Sequence, residues 1–467
     1  MGKLGKERKR RRLLNATTEK VLVEHEEENR VLEFGGLISA EDMATTIRSL
    51  NTLKDHPDLI RSKEFKQLRA VMHLANEAAF AVTGKGSTLS GRISDALTDG
   101  RWADALIALA EMRSKGQVPK LGALQRWVRD CDAASLRDGS HADPQIFRVL
   151  DSILRTADPE LIPKPTEIQH PVRQNGSWSA FPRSEPLAMV YDTIQANKLF
   201  TEEQAEQYRS AFRVVHHENG PERRTPNQYD FTLYHSKPGT IKTTKDDMRP
   251  AVERIDVPQV PGAFLLKDVL TTSECDQVLS AAEAIGFTPD VPIVGSASES
   301  VSILAHNFFW LVDDDFLGTV FKRCEPHFPK EMGDGAIAGL NARWRVYRYV
   351  PGAIYRPHID GAWPGSGLDP VDGSYKYDMY DGTRWSRLTF LIYLNEEFDG
   401  GSTTFFLPSA EEGILEAHGV SPRRGSVLCF PHGNTAGSLL HEGSPVLSGA
   451  KYVIRADVLY TCTSTSS

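Results

Sequence analysis

No stretch of about 18 apolar residues occurs in the 467-residue chain, so a membrane-spanning helix is not expected. The first residues lack the apolar run of a secretory signal, and Lys6 stands where myristoylation after Met1-Gly2 calls for Ser or Thr. Cysteine is scarce: positions 131, 275, 324, 429 and 462 are odd in number, scattered and without a Cys-x-x-Cys spacing. Neither a disulfide framework nor a zinc cluster is indicated, and a reducing, intracellular compartment, nucleus or cytoplasm, is the expectation. What is present is ordinary for a soluble globular protein of two or three domains, with 40% hydrophobic and 25% charged residues.

Charge is concentrated at one end. Residues 3 to 12 hold seven Lys or Arg against Glu7, while the whole chain carries a net charge of -8. Residues 1–30 therefore form a charged tail, readable as a nuclear-import or nucleic-acid-binding segment or as a solvated tail that does neither. Residues 31–160 are expected to be helical. Ser39-Ala-Glu-Asp42 resembles a capping box ahead of Met43, Ile47 and Leu50, and Phe65, Leu68, Met72 and Ala75 trace a second apolar stripe. Trp102, Leu106, Leu109 and Met112, then Leu121, Leu124, Val128 and Cys131, predict a helix pair split at Gly116 to Pro119. Residues 100–116 faintly resemble a pentatricopeptide unit, but stacked repeats need about three copies to enclose a core. Residues 161–250 read as a linker: 164–182 and 216–250 are polar loops around one helical block, Glu185 to Val215.

The last quarter carries chemistry. His358-Ile-Asp360 is followed 83 residues later by His441 and ten after that by Lys451. Strand residues i and i+2 share a face, so His358 and Asp360 can reach one ion, whereas Glu442 points away from His441. Two imidazoles and a carboxylate suit a ferrous ion and leave positions open for oxygen and a co-substrate; zinc would call for a fourth ligand or a single water. The flanks read as strands. Asn341 to Tyr349 mixes aromatic and β-branched residues before the Pro351-Gly352 turn, and Arg387 to Leu394 is apolar on both faces and predicts a central strand. Asp399-Gly-Gly401 breaks before Thr403 to Leu407, and 425–430 and 451–460 add two more strands.

These pieces resemble the iron(II) and 2-oxoglutarate dependent dioxygenases of the prolyl 4-hydroxylase type. The resemblance runs from about Val257 to Tyr460. It rests on Pro261-Gly-Ala-Phe-Leu-Leu, Tyr349-Val-Pro-Gly, Tyr355-Arg-Pro-His-Ile-Asp360, Arg387 to Asn395, Gly400-Gly-Ser-Thr403, Pro422 to Phe430 and His441 to Lys451. It implies an α+β chain in which a mostly helical N-terminal region precedes a double-stranded β-helix (jelly roll) with flanking helices, as a dioxygenase domain over 251–462. The first helix of that domain is expected to start at Thr271, with Glu274 as box partner, and to stop near Gly286. The implied iron ligands are His358, Asp360 and His441. Lys451 matches the cation that pairs with the far carboxylate of 2-oxoglutarate, Tyr349 a tyrosine that contacts it, and Thr403 a hydroxyl near the same carboxylate.

Arg455 competes with Lys451. It lies four residues on, on the same strand face, and its planar fork suits a carboxylate. The resemblance also implies O2 and ascorbate as cofactors, and oxidative decarboxylation of 2-oxoglutarate to succinate and carbon dioxide coupled to hydroxylation of a C–H bond. A peptidyl side chain, proline first, is the expected substrate, with a protein or peptide partner. The alternatives are an oxygenase acting on nucleic acid through the basic tail and helical region, and a binding protein that kept the fold. His418 and His432 lie near the distal ligand, and His432, before Gly433-Asn434, reads as a loop histidine. Arg387 reads as a solvated strand end. Trp363, Tyr375, Tyr377, Tyr380 and Trp385 form either a lid over the substrate or an aromatic loop packed on the barrel.

Overall fold

A computed structural model describes residues 38–54, 88–133, 143–158, 171–183, 200–220, 230–289 and 305–462, with Arg223 and scattered positions between 56 and 72. The basic tail, Ala75 and residues 184–199 of the expected helical block lie outside the described residues. The chain divides into two compact units, 1–76 and 77–467. In the first, the Asp42 N–H donates to Ser39 Oγ (3.1 Å) at the start of helix α1, Ala40–Lys54.

Among the described residues, the second unit opens with the helices α2 (Leu89–Thr98), α3 (Trp102–Ser114), α4 (Leu121–Cys131) and α5 (Pro144–Ala157). Thr88 caps α2, and Asp143 caps α5 with Pro144 in its first turn, where a missing N–H costs nothing. Two helices flank the later strands: α7 (Thr272–Ile285) follows α6 (Glu202–Ala211), and α8 is Asp314–Cys324. Helix α7 begins with the expected Thr271/Glu274 capping box and ends at Gly286, whose φ of 94° a side chain would strain.

The strands are β1 (Val172–Trp178), β2 (Phe212–Glu218), β3 (Phe231–Ser236), β4 (Glu253–Asp256), β5 (Phe264–Lys267), β6 (Thr288–Pro289) and β7 (His306–Leu311). They continue with β8 (Glu331–Met332), β9 (Gly335–Leu340), β10 (Arg343–Tyr349), β11 (Tyr355–His358), β12 (Gly367–Leu368), β13 (Tyr375–Lys376) and β14 (Arg384–Tyr393). Last come β15 (Phe398–Gly400), β16 (Thr403–Pro408), β17 (Leu415–Val420), β18 (Val427–Pro431), β19 (His441–Gly443), β20 (Val446–Gly449) and β21 (Lys451–Thr461). The smaller sheet has the order β1-β17-β16-β19-β11, and the larger one follows β2-β3-β7-β10-β21-β14-β18-β5-β4.

Period-two alternation assigns each strand face to a layer. In β21, Tyr452, Ile454, Ala456, Val458 and Tyr460 pack with Cys275 and Leu279 of α7 and Phe316 and Val320 of α8. Val453 of the opposite face joins Tyr349, Tyr393 and Phe430 of the larger sheet and Phe405 and Val420 of the smaller one. The two sheets therefore face each other across this inner cluster. The smaller sheet turns its other face outward, where Phe406, Leu415, Ala417 and Leu440 share a core with Ile93, Leu109, Trp127 and Val149 of α2 to α5. Strand β14 is central, between β21 and β18, as its apolar sequence predicts.

The expected linker over 161–250 is corrected. Strand β1 pairs in parallel with β17, β2 pairs with β3, and β3 pairs in parallel with β7. The polar sequence misleads because β1 is an edge strand with a largely exposed face, where polar residues carry no burial cost. The described residues of the expected helical block hold α6 followed directly by β2.

Candidate metal centre

The short strands β11 and β19 run antiparallel with His358 directly opposite His441. Cross-strand partners share a face, and the two rings stand 4.3 Å apart between centroids. Asp360, two residues past His358, brings its Oδ1 to 3.4 Å from His358 Nε2 and its Oδ2 to 3.8 Å from His441 Nε2. One ligand atom from each of the three lies within 4.8 Å of the others. Both rings are oriented from behind: Nδ1 of His358 donates to the Arg356 carbonyl (2.8 Å) and Nδ1 of His441 to the Leu439 carbonyl (3.1 Å). That leaves each Nε2 with its lone pair toward Asp360, the tautomer a metal requires.

The charges fit the same use. Burial pulls the His441 imidazole down to about 3, and the neighbouring His358 adds to this against the pull of Asp360, so the ring is neutral. Burial works to raise the Asp360 carboxyl, yet Arg455 and the two histidines together hold it well below its usual range. Two imidazole nitrogens and one ionised oxygen are a donor set suited to iron(II).

A second polar cluster lies beyond Gly443. Tyr349 pairs across the strands with Lys451, and Thr403 with Gly443. A Cβ on Gly443 would sit 3.2 Å from the Tyr355 Cβ and 3.8 Å from the Tyr349 ring. Lys451 is 3% exposed; its Nζ donates to the Gly401 carbonyl (2.7 Å) and stands 5.3 Å from the Tyr349 ring centre. The Tyr393 hydroxyl bonds Thr403 Oγ1 at 2.8 Å. Burial pulls the Lys451 ammonium down to about 7, and among the described residues no carboxylate pairs with it. A buried cation without a counter-ion is costly, and a ligand carboxylate would supply one.

Arg455 is placed differently. Four residues along β21, about 13 Å from Lys451 at strand rise, its Nε lies 3.5 Å from Asp360 Oδ1 and its Nη2 3.2 Å from Asp457. It is paired twice with carboxylates and faces the triad. Of the remaining sequence candidates, His418 sits two strands from His441, against Glu416 and Asn175. Arg387 is not a free solvated end, since its guanidinium pairs with Asp334 at 2.9 Å.

The loop after Asp360 is packed: Tyr380 lies under the Arg384 guanidinium (4.0 Å) and Tyr375 against His216 (5.1 Å). Arg343 lies over both Trp363 (4.8 Å) and Tyr377 (5.3 Å), and Tyr377 keeps 46% of its surface exposed. His432 is a loop residue, directly after β18, but not a solvated one. It ends up 1% exposed behind Asp360, hydrogen-bonded to Thr389 and Ser386. Sequence reasoning also passed over Thr389, Asp457 and Tyr393. The available signal was a polar residue on the inner-facing period of a strand otherwise apolar on both sides, which must find a partner inside.

Residues 344–456 match the family model of the 2OG-Fe(II) oxygenase superfamily. No curated protein matches the chain. Similar solved structures include a viral collagen prolyl hydroxylase from Paramecium Bursaria Chlorella virus-1 (16% identity, 46% of this chain and 97% of that one, TM-score 0.28). A prolyl-4-hydroxylase from Pseudomonas putida aligns at 16% identity over 42% of this chain and 91% of its own, TM-score 0.26. A prolyl hydroxylase from Trichoplax adhaerens, solved with a hypoxia inducible factor peptide fragment, aligns at 17% identity over 43% of this chain and 83% of its own, TM-score 0.27.

Proposed function

We propose that the protein is a 2-oxoglutarate-dependent dioxygenase, the reading that the family match over residues 344–456 supports, and that it hydroxylates a C–H bond of a protein side chain, peptidyl proline being the first candidate. On this reading the two facing sheets are a double-stranded β-helix. His358, Asp360 and His441 hold iron(II), and Lys451, with Tyr349 and Thr403 beside it, receives the far carboxylate of 2-oxoglutarate. When bound, iron, 2-oxoglutarate and O2 supply the oxidative decarboxylation that places one oxygen atom in a C–H bond and leaves succinate and carbon dioxide. The protein's part is orientation and exclusion of water. The Arg356 and Leu439 carbonyls fix the imidazole tautomers, and Arg455 keeps Asp360 ionised. Tyr393 and Thr403, hydrogen-bonded to each other, are buried in the same layer as Lys451.

The observation that carries this reading is the buried Lys451 ammonium, in the same domain as a triad of iron-binding type and, among the described residues, without a carboxylate of its own. A binding protein that merely kept the fold has no use for that cation. A peptide substrate is supported by Trp363 and Tyr377, whose flat rings flank Arg343 three residues and more past Asp360 and suit the apolar face of a proline ring. The test is succinate release from 2-oxoglutarate by wild type and His358→Ala protein across a peptide and nucleic-acid panel. We expect turnover by wild type, stimulated by a proline-containing peptide and lost in the variant; equal behaviour of the two proteins sinks the iron assignment, and stimulation by nucleic acid alone sinks the substrate class.

A further inference from the structure

Behind Asp360 lies a buried polar chain that none of the steps above uses. Thr389 Oγ1 bonds Asp360 Oδ2 at 2.6 Å and His432 Nδ1 at 2.7 Å; His432 Nε2 bonds Ser386 Oγ at 2.8 Å; and the Trp363 N–H donates to that same Oγ at 2.8 Å. Chemistry sets the direction of every hydrogen. An ionised carboxylate only accepts, so the Thr389 hydroxyl donates to Asp360. Its one hydrogen being spent, Thr389 accepts from His432, which must carry its proton on Nδ1. Nε2 is then an acceptor, so the Ser386 hydroxyl donates to it and has a lone pair left for Trp363 N–H. The chain runs one way from the Trp363 backbone to the Asp360 carboxylate with each group matched.

The backbone repeats the link. The Gly433 N–H donates to the Asp360 carbonyl (3.0 Å), and Ser386 N–H to the Trp363 carbonyl (2.9 Å). Gly433 takes φ +64°, and a Cβ there would stand 2.8 Å from Ala362 Cβ. Residues 432 and 433 therefore grip the 360–363 segment by its side chain and its backbone at once. A polar ring buried in an apolar layer costs stability unless fully satisfied, and a fully satisfied network fixes one arrangement.

We infer that His432 is a positioning residue for the metal ligand Asp360: through Thr389 it sets the carboxylate's orientation, and through Ser386 it ties that orientation to the segment carrying Trp363. The inference rests on the metal-ligand reading of the triad. It assigns His432 no contact with substrate or metal. Partners of this kind set ligand geometry, and their loss typically weakens metal binding by about 10- to 100-fold.

The test uses the full chain and Co(II) alone as probe, read by its visible absorption and by titration, together with thermal unfolding of the metal-free protein. Thr389→Val, isosteric but unable to donate, and His432→Leu should each raise the Co(II) dissociation constant about 10- to 100-fold and alter the Co(II) spectrum. Thr389→Ser and His432→Asn, whose amide N–H can replace that of Nδ1, should stay close to wild type. The double variant T389V/H432L should be no weaker than T389V alone, because both cut one chain. Wild-type Co(II) affinity in T389V and H432L, with only the metal-free unfolding temperature lowered, shows a merely structural role and overturns the inference. Should H432L fail to fold, the Thr389→Val and Thr389→Ser pair decides alone. Wild type that does not bind Co(II) overturns the triad reading itself, a result distinct from normal binding by wild type and variants alike.

Discussion

Along β16, Phe406 turns toward helices α2 to α5 and packs with Leu415, Ala417 and Leu440, while Phe405, one residue earlier, lies against the ring of His441. The same sheet thus has an outer face from which Phe406, Leu415 and Ala417 pack on the helices, and an inner face that carries His358, His441 and Thr403, with Asp360 two residues past His358 and with Lys451 and Arg455 reaching in from the facing sheet. Burying the inner set is expensive; burying the outer set contributes roughly 25 cal/mol for each Å² of apolar surface removed from water. The difference teaches that the helical region braces the ligand-bearing strands. Those strands are short, four residues in β11 and three in β19, and a short strand holds its place through its neighbours. Gln125 of α4 donates to the Ile359 carbonyl between the two first ligands (3.1 Å), and Arg356 pairs with Asp132.

The harshest way to break the outer face is at the buried pair Arg155–Asp151, whose side chains are each 1% exposed. Arg155 also donates to the carbonyls of Ser409 (2.9 Å) and Glu411 (3.0 Å), and Asp151 accepts the Gly413 N–H (2.8 Å). Arg155→Leu leaves Asp151 buried without its counter-charge and should cost about 3–5 kcal/mol of stability, measured by urea unfolding, with metal affinity of the folded fraction preserved. Equal loss of both would mean the two faces are not separable.

On the inner face, Lys451→Met should weaken 2-oxoglutarate binding by about 30-fold or more, the usual result of truncating one partner of a buried charge pair, while leaving Co(II) affinity unchanged. The pH dependence has a definite sign. Burial sets the free ammonium at about 7 and pushes the facing Tyr393 phenol up, so of these two only the lysine titrates near neutrality. The charged lysine is the form that binds a carboxylate, so affinity is flat below about pH 7 and falls as pH rises, approaching tenfold per unit. Lys451→Arg should remove that slope, because guanidinium stays charged. A slope that persists in both variants would assign it to another group.

The mildest test joins the faces. Gln125→Leu removes one side-chain bond to Ile359 and should lower stability by about 1 kcal/mol, with a small rise in the Co(II) dissociation constant. No change in the latter would limit the brace to Arg356–Asp132.

Much of the inner face was legible because period two is a rigid rule. His358 and Asp360 could be placed together from i and i+2, and Lys451 and Arg455 on one face from i and i+4. The Thr271-x-x-Glu274 box and the break from Gly116 to Pro119 were legible for similar local reasons. Strands β1 and β2 were not, since edge strands with exposed faces show no apolar alternation. His432 was legible as a loop residue from Gly433 and Asn434 but not as a buried one, because a turn can still be buried when it folds back under a ligand loop.

By itself, then, the sequence determined which residue types alternate on which strand face, where helices begin and stop, and which three side chains could bind one ion, because these depend on local geometry along the chain. Tertiary structure alone decided that Lys451 stands uncompensated while Arg455 is spent on Asp360 and Asp457, that His432 supports Asp360, and that a helical bundle backs the ligand strands. Each of these depends on which distant segments meet, and burial and pairing of charge exist only once they have met.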